Sequence, residues 1–352
     1  MNNSNPTPML RQYQELKQQH PGTLLFFRLG DFYELFFDDA LTGSRELQIT
    51  LTARHKDSGN PVPMCGVPHH SAANYIARLV RKGYRVAICE QTEEAGKTKK
   101  LVRREVVRIV TPGTPIDPQL LEAREPVFLA SICSAGETIG AAFLDISTGE
   151  FRVTQETGRD SWTRIRAALE SYAPRELLFP ASLGALIKSS LTGKVQTAPL
   201  PLGNDRAPSS KEEFGFDAAL TPLEDWQWQK DDCAKLLLEH FNVRTLDGYG
   251  LTRRDEAIRA AGACLRYARD TQRAAAEHVT DLVYFEPQDH LVLDSVTVRN
   301  LELVESLAGG SGRSLLQVID ETVTGMGARL LRAWLLRPCV KRGEVEARLA
   351  AV

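Results

Sequence analysis

The sequence holds six cysteines, Cys65, Cys89, Cys133, Cys233, Cys264 and Cys339, with no CxxC pair and no short regular spacing. That scatter excludes a disulfide framework and a cysteine-paired zinc module, and predicts free thiols in a reducing compartment. No apolar run approaches the ~18 residues that a membrane crossing needs. No secretory leader pattern opens the chain, so the expected location is cytoplasmic and no membrane partner is expected. Net charge is also nearly absent: 43 Lys+Arg against 45 Asp+Glu leave −2. This excludes a histone-like coat but not a local basic site. Residues 1–120 carry 16 basic and 12 acidic side chains, and the remainder 27 and 33, so a mildly basic front is averaged with an acidic back.

Complete nucleotide loops are missing as well. Gly96-Lys97-Thr98 has the tail of a phosphate-binding loop, but Gln91 stands where the motif needs its first glycine. The run from Gly309 to Ser314 lacks the lysine, and Gly248-Tyr249-Gly250 lacks a third glycine. No cofactor site and no catalytic residue are expected in this chain.

What is present reads as α/β followed by helix. Thr7-Pro8 predicts a helix start, with Met9, Leu10, Tyr13 and Leu16 at helical spacing and Pro21-Gly22 ending it. A strand is expected over 24–29, continuing after Gly30 through 31–36. Asp38 or Asp39 is expected to cap a helix to about Gln48, and Ser71 another that ends at Gly83. Strands are expected at 84–90 and 105–111. From Pro126 three strands (127–133, 139–146, 150–155) precede a helix at 160–172, a strand at 175–179 and a helix at 181–190. Residues 199–212 read as a surface loop. After about 225 the chain reads as nearly all helix, with spans at 253–278, 296–307 and 325–336 and another opening at Glu344. The last pattern stops at Val352 without a terminating signal, so the chain is expected to be a truncated one.

Several residue groups could carry chemistry. Cys65, His69 and His70 suggest a metal, yet zinc needs four converging ligands, and Pro61, Pro63, Gly66 and Pro68 favour a turn-rich loop. Asp145 could serve a two-metal nuclease, but no partner carboxylates accompany it, so a strand-end turn is the better reading. Lys97, Lys99, Lys100, Arg103, Arg104 and Arg108 form a basic stretch that could neutralise phosphates or simply line a solvated loop and strand. In Phe32-Tyr33-Glu34, strand alternation places Phe32 and Glu34 on one face and Tyr33 and Leu35 on the other. By pattern alone this is a half-buried core strand with one exposed carboxylate.

A family resemblance runs through the chain in collinear order. GDFYELFFDDA (30–40), VPMCGVPHHSAANYIARLV (62–80), VAICEQ (86–91) and VVRIVTPGT (106–114) resemble the mismatch-reading domain of the MutS family of DNA mismatch-recognition proteins. FLDISTGEF (143–151) resembles its connector, whose family fold is ribonuclease-H-like without the nuclease site. LDSVTVRNLELVES (293–306) and TGMGARLLRAWLLRPC (324–339) resemble the start of its core and lever helices, with Cys339 where the family usually has leucine.

The resemblance implies a multidomain α/β plus all-α architecture. A mixed-sheet α/β mismatch-recognition domain would span 1–120, a ribonuclease-H-like α/β connector 121–240, and a partial helical core/lever region 241–352. It implies binding of mismatched or unpaired bases in duplex DNA to initiate repair, read by a Phe-x-Glu motif that falls on Phe32 and Glu34. Lys97, Lys99, Lys100, Arg103, Arg104 and Arg108 become candidates for DNA-backbone contacts. ATP and magnesium belong to a C-terminal ATPase domain of the full-length family, which also dimerises it, and MutL is a downstream partner. The isolated chain is therefore expected to be monomeric, to hydrolyse no ATP and to bind mismatches poorly. The competing readings are a metal-dependent nuclease and a docking module without mismatch selectivity.

Overall fold

The computed structural model describes residues 7–54, 61–92, 102–115, 122–185, 218–308 and 312–351. The chain divides into two units, residues 1–120 with 269–275, and residues 121–268 with 276–352.

In the first unit, α1 (Pro8–Gln19) begins at its proline, with no side-chain cap from Thr7. The ring's fixed φ starts this helix. The strands β1 (Thr23–Leu29), β2 (Phe32–Phe36), β3 (Thr52–Arg54), β4 (Val62–Pro68), β5 (Arg85–Gln91) and β6 (Arg104–Val110) form one sheet in the order β3-β4-β2-β1-β5-β6. Only β1 and β5 run parallel. The expected continuation of one strand through Gly30 is corrected here. Gly30 takes a left-handed φ of 58° and the chain reverses, pairing Leu29 with Phe32 and Phe27 with Glu34. A glycine at the first position of a two-residue loop is what a tight hairpin turn requires.

The turn-rich loop expected around Pro61 to Pro68 is also corrected, because these residues form β4. A proline has no N–H to donate to a ladder, so it is tolerated where a strand lies on one side only. Here β4 pairs with β3 over Val62–Met64 and with β2 over Met64–Pro68, so Pro63 and Pro68 each have a strand on one side only. The helices α2 (Phe37–Leu47) and α3 (Ala72–Arg81) cover the sheet face bearing Leu24, Phe26, Tyr33 and Leu35. Leu25, Phe27, Phe36 and Val106 pack with Leu10 and Tyr13 of α1 on the other.

Neither Asp38 nor Asp39 is the cap of α2; Phe36 holds that position, without a side-chain bond. Asp39 is instead buried, at 5% exposure. Its carboxylate accepts from the Tyr13 hydroxyl at 2.8 Å, the Leu25 amide at 3.0 Å and the Lys17 ammonium at 2.6 Å. Leu25 lies beyond the last residue of β1 that pairs with β2, so the carboxylate takes the amide the hairpin leaves over.

In the second unit, β7 (Leu129–Ala135), β8 (Thr138–Asp145) and β9 (Glu150–Thr157) form an antiparallel meander. Parallel strands β10 (Glu176–Pro180) and β11 (Ala219–Leu223) extend it beyond β7, and β12 (Val283–Tyr284) lies parallel to β9. One face packs on α4 (Ser161–Tyr172), through Phe143, Ile165 and Leu169. The other packs on α5 (Lys230–Phe241) and α6 (Asp255–Gln272), through Leu144, Leu237 and Cys264. Burial on both faces explains why β7 and β8 read as continuous apolar runs. Close approach is achieved at Gly140, where an added Cβ would lie 2.0 Å from the Glu256 carbonyl oxygen.

The helical remainder is shorter than its pattern suggests. The span expected at 296–307 is α7 (Ser295–Asn300). Glu302 then turns left-handed, and the carbonyls of Glu302 and Leu303 accept from Leu315 and Leu316, at the head of α8 (Leu315–Ile319). α9 (Gly325–Leu336) and α10 (Arg342–Ala350) follow. Residues 186–190 of the expected helix and the 199–212 loop lie outside the described residues.

Asp39→Ala is expected to lower stability by roughly 3–5 kcal/mol, the usual cost of removing one partner from a buried ionic network, read as a fall in the urea midpoint. Gly140→Ala is expected to cost about 3 kcal/mol by overpacking, in the same assay, because backbone of α6 rather than a yielding side chain occupies the space.

Candidate nucleic-acid interface

β2 is five residues long and its side chains alternate. Tyr33 and Leu35 face α2 and α3 and are buried, which turns Phe32, Glu34 and Phe36 to the other face. There Phe36 packs beneath Tyr13 of α1, ring centroids 5.1 Å apart. Phe32, at the hairpin tip, is 47% exposed. Among the described residues of this unit it is the one Phe, Tyr or Trp ring left exposed. Its neighbours across the sheet are Leu29 and Pro68.

Glu34 sits two residues along the same face, between Phe27 and Gly66. Gly66 lies against the Glu34 side chain, where an added Cβ would stand 3.5 Å from its Cγ. Arg54 of β3 reaches it, Nη1 to Oε2 at 3.1 Å. Burial raises the Glu34 carboxyl above its ordinary range, and the Arg54 charge partly opposes that rise. An exposed flat ring beside a carboxyl group can stack on a base and exchange a hydrogen bond with it.

The basic stretch does not form one surface. Lys97, Lys99 and Lys100 lie outside the described residues. Arg103 is exposed and paired with Glu105 at 2.7 Å. Arg104 is corrected from a backbone-contact candidate to a folding residue. It is 6% exposed, donates to the Arg28 carbonyl at 2.8 Å, to Gln12 at 3.2 Å and to the Val102 carbonyl at 2.9 Å, and lies over the Phe27 ring at 5.0 Å. Arg108 is half-buried on the opposite face. Ile88 pairs with Arg108 and Cys89 with Val106, so Val107 is an extra residue that reverses the alternation. Arg54 and Gly66 escaped the sequence reading, since only strand pairing brings them to Glu34.

The other candidates have structural roles. Cys65 is buried, its thiol pushed up to about 11 by desolvation first and the Asp39 charge second. The His69 ring packs on Tyr33 with centroids 5.5 Å apart. Asp145 accepts from the Ser147 amide at 2.9 Å, the Ser147 hydroxyl at 2.6 Å and the Val127 amide at 3.4 Å, the turn role expected for it. Among the described residues no three His, Cys, Asp or Glu side chains stand together to hold a metal.

Residues 7–119 match the family model for MutS domain I, residues 127–280 that for MutS domain II, and residues 296–352 that for MutS domain III. The chain belongs to the MutS family. A protein named DNA mismatch repair protein MutS from Solibacter usitatus is 50% identical over 352 residues, covering 98% of this chain and 38% of its own length. The protein of that name from Symbiobacterium thermophilum is 41% identical over 355 residues (100% and 38%), and that from Halothermothrix orenii 40% over 347 (98% and 36%). The chain thus spans well under half the length of these curated relatives. Within each of its two units the architecture is the mixed α/β sheet expected, with helices following.

The balance at Glu34 has a direct check. A folded-state pKa above the unfolded one means that ionising Glu34 costs stability, a cost absent below the unfolded value and complete above the folded one. Arg54→Met removes the opposing charge and keeps the aliphatic cover. The Glu34 carboxyl, followed by carbon NMR through a pH titration, is expected to titrate higher still in that variant.

Proposed function

We propose that this chain recognises mispaired or unpaired bases in duplex DNA and so takes part in initiating DNA mismatch repair. The observation that carries the reading is the exposed Phe32 ring at a hairpin tip, with Glu34 beside it on the same face. A phenylalanine presented from the minor groove wedges a base step and kinks the duplex, at an unstacking cost of a few kcal/mol. That cost is lower where a mispair has already weakened stacking, so discrimination comes from deformability and one reader accepts many mispairs. Glu34 repels phosphates of an intact duplex, and at a mispair a hydrogen bond to the displaced base offsets the repulsion. Lys97, Lys99, Lys100 and Arg103 remain the proposed backbone contacts, which position the protein without specifying sequence; Arg108, on the face opposite Phe32, is dropped from the set.

The family resemblance supports further parts of the proposal: a homodimer, MutL as a downstream partner, a cytoplasmic setting, and ATP with magnesium in the longer family members. The Gly96-Lys97-Thr98 stretch does not complete an ATP phosphate cradle, because it lacks the first loop glycine. Gln91, at the position of the first loop glycine, is laddered to Arg104 in the sheet, so its backbone is engaged. No ATP-dependent step is assigned to these residues.

Phe32→Ala is expected to weaken binding to a duplex with one mispair by about tenfold or more, the usual worth of base–aromatic stacking, and to leave matched-duplex binding unchanged. Glu34→Ala and Glu34→Gln are expected to tighten matched-duplex binding. Fluorescence anisotropy with both duplexes at one fixed salt reads these effects; undiminished discrimination by Phe32→Ala sinks the wedge, and weaker matched binding by the Glu34 variants sinks the repulsion.

A further inference from the structure

A ring that must hold two base steps apart works only if the strand beneath it does not yield, because any ordering needed on binding subtracts from affinity. On its own face Phe32 has little support, since the cluster under α1 includes Phe27 and Phe36 but not Phe32. The support lies on the opposite face, through the next residue. Tyr33 is 5% exposed, and its hydroxyl donates to Oε1 of Glu90. Glu90 belongs to β5, and β1 separates β5 from β2. The bond therefore crosses two strand spacings, about 10 Å. Backbone ladder bonds join only adjacent strands, so this side chain ties the reader strand to the one beyond its neighbour.

Other contacts converge on the same turn. Arg28 donates to the Gly30 carbonyl at 2.5 Å and lies over the Tyr33 ring at 5.5 Å. The His69 amide donates to the Asp31 carbonyl at 2.8 Å. The Val107 bulge turns Arg108 to this face, where its charge reaches the phenol. Burial first, then the bond to Glu90, hold the phenol well above its ordinary range, so Tyr33 remains a neutral donor wherever DNA binds.

We propose that Tyr33 and Glu90 form a positioning pair for mismatch reading: their bond braces the Phe32 hairpin before DNA arrives, so that insertion need not order it. This rests on the assignment of Phe32 as the reader.

Tyr33→Phe keeps the ring and removes only the hydroxyl, and Glu90→Gln keeps an acceptor in place. Amide hydrogen exchange of the 352-residue chain without DNA is the first measurement. Tyr33→Phe is expected to speed exchange at residues 29–34 about tenfold, the effect of losing a hydrogen bond to a charged acceptor, and to leave α2 and α3 as protected as before. Anisotropy at fixed salt is the second. Tyr33→Phe is expected to weaken mispair binding about tenfold with matched-duplex binding unchanged, Glu90→Gln to fall between it and the parent, and Tyr33→Phe to add nothing in a Phe32→Ala background. Faster exchange throughout the unit, equal losses on both duplexes, or unchanged mispair affinity each overturn the positioning role. Intact discrimination in Phe32→Ala overturns the reader assignment and this proposal with it, whereas failure of Tyr33→Phe alone overturns only the pair.

Discussion

Burying Tyr33 and Leu35 beneath α2 and α3 leaves Phe32, Glu34 and Phe36 the other side of the sheet, and the rest of the interface depends on that constraint. The other face is only partly covered. Tyr13 and Leu10 of α1 pack with Phe36 and Phe27, and Phe32 lies outside that cluster. A large apolar ring is left in solvent because its strand is anchored from behind, not because the local sequence is polar. The Asp39 carboxylate holds the frame together, joining α1, β1 and α2 through Tyr13, Leu25 and Lys17.

The second unit follows a different rule. Its sheet is packed on both faces, and key acids and an amide there take their partners from inside the protein. Glu176 is fully buried and accepts from Thr221 at 2.7 Å and Tyr267 at 2.6 Å. Asp145 closes the β8–β9 turn. Gln155 caps α6 by accepting from the amides of Glu256 and Ala257, beside the bare backbone of Gly140. Carboxylates used in this way are structural, and the metal-nuclease reading has no support among the described residues.

Much of this was legible in the chain and some was not. The pairing of Phe32 with Glu34 and the order of the α/β elements follow from period-two and helical spacing, which are local properties. The hairpin at Gly30 was not read, because a glycine interrupting an apolar run is equally compatible with a continuing strand until the partner strand is known. β4 was hidden by its prolines, which are tolerated only because β2 and β3 flank different halves of it. The six cations of the basic stretch are adjacent in sequence, yet Arg103, Arg104 and Arg108 point three different ways.

By itself the sequence determined the family, through collinear motifs from GDFYELFFDDA to the LLRAWLLRPC helix, and it determined which strand faces are apolar. Tertiary structure alone decided which cations turn inward, that Asp39 is a buried anchor and not a cap, and what stands behind the reader strand. The physical reason is range. Alternation and helical period are set within a few residues, whereas the Glu34–Arg54, Tyr33–Glu90 and Arg104–Arg28 contacts join residues 20, 57 and 76 positions apart. Only strand order and one bulged residue bring those partners together.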